Sequence, residues 1–259
     1  MVLGPLRRRR RARLRRRPLP AEWESILERN VPLYRGLSEA DRRELHGHVQ
    51  VFLNEKRFEA AGGLALTDEI RVTIAAHACA LLLHRATDYY PGLTTIIVYP
   101  SAYVARHTVR EPMGLVAERT EARLGESSPR GVVVLSWNAI EAVASDAGDC
   151  RNVVLHEFAH QLDAESGSVD GAPILPDRSR YVAWARILGR EYERLRSDAA
   201  QGKETVLDRY GATSPAEFFA VATECFFTRP ELLRAHRPDL YSELSDYYRQ
   251  DPARYRRAA

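Results

Sequence analysis

A chain of 259 residues, 45% hydrophobic and 28% charged, is composed like a globular protein and is long enough for one large core. Its three cysteines, Cys79, Cys150 and Cys225, are odd in number and widely spaced with no C-x-x-C pair. That excludes a disulfide framework and a cysteine-ligated zinc finger, and fits a reducing compartment. No apolar run approaches the ~20 residues of a membrane span, and the basic N-terminus has no apolar stretch behind it, so the expectation is a cytoplasmic protein.

The net charge of +3 hides an asymmetry. Nine arginines occupy positions 7–11, 13 and 15–17, and without them the remainder carries −6. Charges this dense repel one another. Residues 1–18 are therefore expected to form a disordered basic arm, able to touch anionic surfaces but without specific nucleic-acid recognition.

Pro18-Leu19-Pro20 ends the arm and opens a single domain expected over 19–259. Helices are predicted over 23–30 and 39–52, the second with Leu45, Val49 and Phe52 at helical spacing and Ser38 as N-cap. Thr67 is placed to cap a third helix running to residue 83. Its Asp68 and Glu69 suit the positive end of the dipole, and Val72, Ile74, Ala75 and Ala78 make it apolar on most faces. The β-branched runs at 93–99 and 132–137 read as strands, and the polar stretch 106–130 between them as a hairpin with a mobile tip. Beyond residue 138 the pattern is helical, over 140–145, 151–164, 181–197, 215–227, 230–235 and 239–249. Strands thus fall in 19–145 and the chemistry in 146–259. The class is α+β, helix-rich, with one small mixed sheet.

The chemistry centres on His156-Glu157-Phe158-Ala159-His160. Histidines four apart on a helix project from one face, so two imidazole nitrogens can converge on one zinc at ~2.0–2.1 Å. Glu157 turns toward the open side of the metal, where it can take a proton from a water whose pKa the metal lowers toward ~7. Histidine has little reason to stand on a helix as apolar as Val153, Val154, Leu155, Phe158 and Leu162 make this one, unless it has a partner. No further histidine follows closely, so the third ligand is sought among downstream carboxylates. Glu217 and Glu224 lie seven apart on one predicted helix. Glu217 also completes a capping box with Ser214, while Glu224 sits deeper among apolar neighbours and needs a partner of its own. Spacing leaves the choice open: one can ligate zinc while the other holds a histidine from behind. Asp163, on the same face as His156, can either accept a histidine N–H or terminate the helix near Gly167.

His156-Glu157-Phe158-Ala159-His160-Gln161-Leu162-Asp163, followed by Ala216-Glu217-Phe218-Phe219-Ala220-Val221-Ala222-Thr223-Glu224, resembles the Mlc titration factor A family of bacterial zinc peptidases. The catalytic domain of anthrax lethal factor is a more distant likeness. The resemblance extends through Pro32-Leu33-Tyr34, Asp68-Glu69-Ile70-Arg71, Tyr99-Pro100 and Leu135-Ser136-Trp137, covering nearly everything after the arm. It implies a zincin-like peptidase fold built on an active-site helix, with Glu217 as third zinc ligand beside His156 and His160. It also implies that Tyr210 turns its hydroxyl toward the site, where an oxyanion needs a donor. Glu126-Ser127-Ser128-Pro129-Arg130-Gly131 lacks a histidine that some relatives carry there.

The activity so implied is hydrolysis of a peptide or protein substrate, internally or as an aminopeptidase, with Glu157 carrying the proton. The strand over 132–135 is expected to offer its edge to an extended substrate. The resemblance further implies binding to a transcriptional repressor of sugar uptake, which makes a regulatory binding protein the alternative reading.

Overall fold

The computed structural model describes residues 4–110, 116–123, 125–128, 131–145 and 150–255, with backbone alone for 103–110, 116–123, 126–128 and 143–145. The N-terminal helices are α1 (Pro5–Arg15), α2 (Ala21–Asn30), the single turn α3 (Pro32–Arg35) and α4 (Glu39–Glu55). Strand β1 (Arg57–Ala60) leads to α5 (Asp68–Ala80), and β2 (Thr95–Tyr99) to a hairpin of β3 (Tyr103–Arg110) and β4 (Val116–Arg123). Then come β5 (Gly125–Ser128), β6 (Val132–Ser136) and α6 (Trp137–Ser145). The remainder is helical: α7 (Val153–Ala164), α8 (Arg178–Ala200), a 3-10 turn (Arg209–Ala212), α9 (Pro215–Thr228), α10 (Pro230–His236), α11 (Pro238–Tyr248) and α12 (Pro252–Tyr255).

Local chemistry explains several starts. The Ser38 and Thr67 hydroxyls accept from Asp41 N at 3.2 Å and Ile70 N at 3.3 Å, capping α4 and α5 as expected. Helix α5 is central, with Val72, Ile74, Ala75 and Ala78 fully buried. The sheet runs β1-β2-β6-β5: the first three strands are parallel and β5 is antiparallel to β6, in register from Gly125↔Leu135 to Ser128↔Val132. This is the expected small mixed sheet in a helix-rich α+β chain, and β3 and β4 form a separate two-stranded sheet. Ile96 and Val98 of β2 and Val133 and Leu135 of β6 alternate into the core. There Phe158 of α7 meets the rings of Tyr90 at 4.9 Å and Phe52 at 5.7 Å.

Two expectations are corrected. The arginine-rich segment forms α1 and packs across α4 at Gly47, where a Cβ would sit 3.2 Å from Arg15 Cα. Leu14 and Arg11 of α1 are buried. Arg11 grips both oxygens of Glu55 (2.8 and 2.7 Å) and Asp88 Oδ1 (2.7 Å), Arg7 adds 3.0 Å to Glu55, and Arg15 donates to the Tyr89 hydroxyl at 2.8 Å. Two carboxylates and a phenol from distant segments relieve the repulsion that the local charge run suggested. Nor is 132–135 an edge: β6 is covered by β2 on one side and β5 on the other, and the outer strands are β5 and β1. The strand at 57–60 has no predicted counterpart; its four residues carry too little pattern to read alone. The tip of the predicted hairpin, 111–115, and the predicted passage to the second part at 146 lie outside the described residues. Among the described residues no helix is long and apolar enough to cross a membrane.

Candidate metal centre

Asn152 positions the first two candidate ligands. Its side-chain oxygen accepts from Val154 N and Leu155 N at 3.1 Å, which caps α7 and starts the helix so that His156 and His160 share one face. Ser214 does the same for α9, accepting from Glu217 N at 3.2 Å. The Glu217 carboxylate does not turn back to complete a capping box. It crosses to α7, with Oε2 at 3.0 Å from His156 Nε2 and 3.3 Å from His160 Nε2, and the two Nε2 atoms are 3.3 Å apart. Three ligand atoms thus form a nearly equilateral triangle.

That triangle fits a small divalent ion. Bonds of about 2.0–2.1 Å in tetrahedral geometry place ligand atoms about 3.3–3.4 Å apart. The electrostatics make the same demand. Glu224 Oε1 lies 2.6 Å from His156 Nδ1 and takes its N–H, so in neutral His156 the Nε2 lone pair faces the Glu217 carboxylate and the second imidazole. With the His160 proton on Nδ1 as well, three acceptor atoms converge, and a positive charge at their centre would satisfy all of them. When a proton supplies it, the bonds to Glu217 and Glu224 overcome the effect of burial and push the His156 imidazolium up to about 10. Against its own desolvation, Glu217 is held down to about 2 by the two histidines. A metal would take the place of that proton.

Around the triangle, Glu224 is almost fully buried; it also accepts from Asn152 N, and burial raises its carboxyl. The deeper glutamate therefore orients His156 from behind while the shallower one faces the open side. Glu157, only 6% exposed, is pushed up to about 7 by burial. The Tyr210 ring, on the 3-10 turn and 54% exposed, lies 6.0 Å from the His156 ring. Asp163 accepts from Gly171 N at 2.8 Å, fastening the chain that leaves α7; His160 Nδ1 has no hydrogen-bond partner among the described residues. Of the two roles open to Asp163, the structure therefore contains the bond to the following loop.

The structure brings together His156, Glu157, His160, Glu217 and Tyr210. It adds Gly125, which sequence reasoning missed. A Cβ there would lie 2.5 Å from Glu157 Oε1 and 2.6 Å from Val153 Cγ2, so β5 can run this close to the glutamate only at a glycine. Gly125 opens the four-residue strand, and a glycine in that polar stretch was the available signal. Asn152 was missed too, although an Asn directly before an apolar helical run is a capping signal.

Sequence comparison bears on what such a cluster does. A profile of the glucose-regulated metallo-peptidase M90 family matches residues 6–249. An uncharacterised protein of Synechocystis sp. is 42% identical over 245 residues, covering 94% of this chain and 89% of that protein. Mlc titration factor A of Klebsiella pneumoniae is 33% identical over 233 residues, 89% of this chain and 86% of its own length. That of Serratia proteamaculans is 33% identical over 235 residues, 90% and 88%. With a helix-rich α+β fold, a metal-ready group of two histidines and a glutamate, and likeness along nearly its whole length, the chain belongs to the M90 family of metallopeptidases, together with proteins named Mlc titration factor A.

Proposed function

We propose that this chain is a zinc peptidase in which His156, His160 and Glu217 hold the metal, Glu157 is the general base and acid, and Tyr210 donates to the oxyanion. The observation that carries this reading is the triangle of Nε2, Nε2 and Oε2 atoms at 3.0–3.3 Å, the spacing that three ligand atoms of one small cation would have. Two imidazoles and one carboxylate favour zinc among divalent ions and leave a fourth position open. When bound, zinc supplies Lewis acidity toward a substrate carbonyl and acidifies its own water.

The chain supplies the rest. Glu224 fixes the tautomer and tilt of His156 through Nδ1. The buried Glu157 carboxylate, next to both histidines, is suited to accept a proton and return it to the departing amine. The half-exposed Tyr210 ring stands 6.0 Å from that of His156, on the side from which its hydroxyl would donate to an oxyanion. The outer edge of β5 is suited to pair with an extended peptide, and Gly125 would bring that peptide past Glu157.

The test is Glu157→Gln assayed on a mixed fluorescent peptide library. Zinc content should stay at one per chain while turnover falls about 10²–10⁴-fold. Undiminished turnover would refute the role of Glu157, and loss of zinc would refute the placement of the ligands. A second reading comes from the name Mlc titration factor A carried by the Klebsiella and Serratia relatives. In it the chain binds and sequesters a transcriptional repressor, and peptidase activity is secondary. The same variant separates the two, since repressor binding should survive the loss of hydrolysis.

A further inference from the structure

Cys150 and Cys225, 75 residues apart in the chain, bring their sulfurs to 3.0 Å. Non-bonded heavy atoms usually pack at about 3.5–4 Å. Both residues are thiols; Cys150 is half-buried and Cys225 fully buried. Cys79, the third cysteine, is buried within α5. The pair sits directly behind the metal centre. Cys150 lies two residues before Asn152, the cap of α7, and Cys225 directly follows Glu224 in α9. The Thr228 hydroxyl already bridges the two segments, lying 2.9 Å from the Cys150 carbonyl and 2.8 Å from that of Glu224.

We propose that Cys150 and Cys225 are a redox pair that closes to a reversible disulfide, fastening the start of α7 to α9. The oxidant class is a peroxide. The sulfur of Cys150, the less buried residue of the two, attacks a peroxide oxygen, the O–O bond breaks, one water leaves, and Cys150 becomes a sulfenic acid. The Cys225 sulfur attacks that sulfur, the S–O bond breaks, and the hydroxide departs as water with the Cys225 proton. Two thiols give up two electrons, and hydrogen peroxide becomes two waters. A small dithiol reverses the step by exchange. Glu224 bonds both Asn152 N and His156 Nδ1, so a bridge between the flanking cysteines holds in place the carboxylate that orients His156. This consequence rests on the metal reading above; the bridge itself does not.

The experiment titrates the full, zinc-treated chain with hydrogen peroxide. It follows titratable thiols, a non-reducing peptide map, thermal unfolding and zinc release to a chelator. Two of the three thiols should disappear, and one peptide pair should join Cys150 to Cys225. Tm should rise by about 5–15 °C and fall back with a dithiol. Zinc release should slow by about tenfold. Cys79→Ser should behave like the wild type, and Cys150→Ser should lose every one of these responses. Three persisting thiols, or Cys150 ending as a sulfinic acid with no cross-link, would overturn the proposal. A bridge with unchanged zinc release would overturn its action on the site. A bridge in a chain that takes up no zinc would count against the metal reading alone.

Discussion

Glu217→Gln and Glu224→Gln should separate a ligand from the group that orients a ligand. The Glu217 carboxylate faces both Nε2 atoms at 3.0 and 3.3 Å, and an amide there offers a neutral, weaker donor. Structural zinc sites bind with about 10–16 kcal/mol over four ligands, or roughly 3–4 kcal/mol per ligand, so losing this one should weaken zinc by about 10²–10³-fold. Among the described residues Glu224 accepts from Nδ1 and from the Asn152 N–H, and faces neither Nε2. Its amide variant keeps one acceptor but sets an NH₂ against one of two donors, which should weaken zinc by about 10–100-fold and leave the stoichiometry at one. The assay is competition with a chromogenic chelator at fixed pH, because protons compete for His156, with far-UV circular dichroism to confirm folding. Equal losses, or zinc lost in Glu224→Gln alone, would refute the assignment of Glu217 as ligand.

Three further outcomes are expected. Gly125→Ala puts a Cβ against the Glu157 carboxylate and Val153, so turnover should fall about 10²-fold with zinc retained; unchanged turnover would show that β5 yields without moving Glu157. Arg11→Ala leaves Glu55, whose carboxyl is held near 2 against burial by Arg11 and Arg7, with Arg7 alone and removes the close bond to Asp88, and should cost about 2–3 kcal/mol in urea unfolding; a loss below about 0.5 kcal/mol would mean that α1 does not rest on this contact. His77 is fully buried in α5, and burial lowers its imidazolium to about 4. Between that value and the ordinary 6.5 the unfolded chain binds a proton that the folded chain does not, so this group alone should remove about 3 kcal/mol of stability as pH falls from 6.5 to 4. His77→Leu should flatten that part of the pH–stability curve, and an unchanged slope would refute the contribution.

What is local was legible in the order of residues. Periodicity and capping residues placed most of the helices to within a few residues, because Ser38, Thr67 and Ser214 satisfy N–H groups three positions away. The four-residue spacing of His156 and His160 set them on one face before any packing was known. The choice between Glu217 and Glu224 belonged to tertiary structure. Both lie on the same helix, and only the way α9 lies against α7 aims one at Nε2 and the other at Nδ1 of a histidine more than 60 residues away. The same holds for the arginine run. Its charges predict repulsion, and its order comes from Glu55 and Asp88, which no local window contains. Strand order is non-local as well, so β5 rather than β6 is an outer strand, and Gly125 gains its meaning only beside Glu157. Cys150 and Cys225 look unrelated along the chain and become neighbours because the start of α7 and the end of α9 meet behind the metal centre.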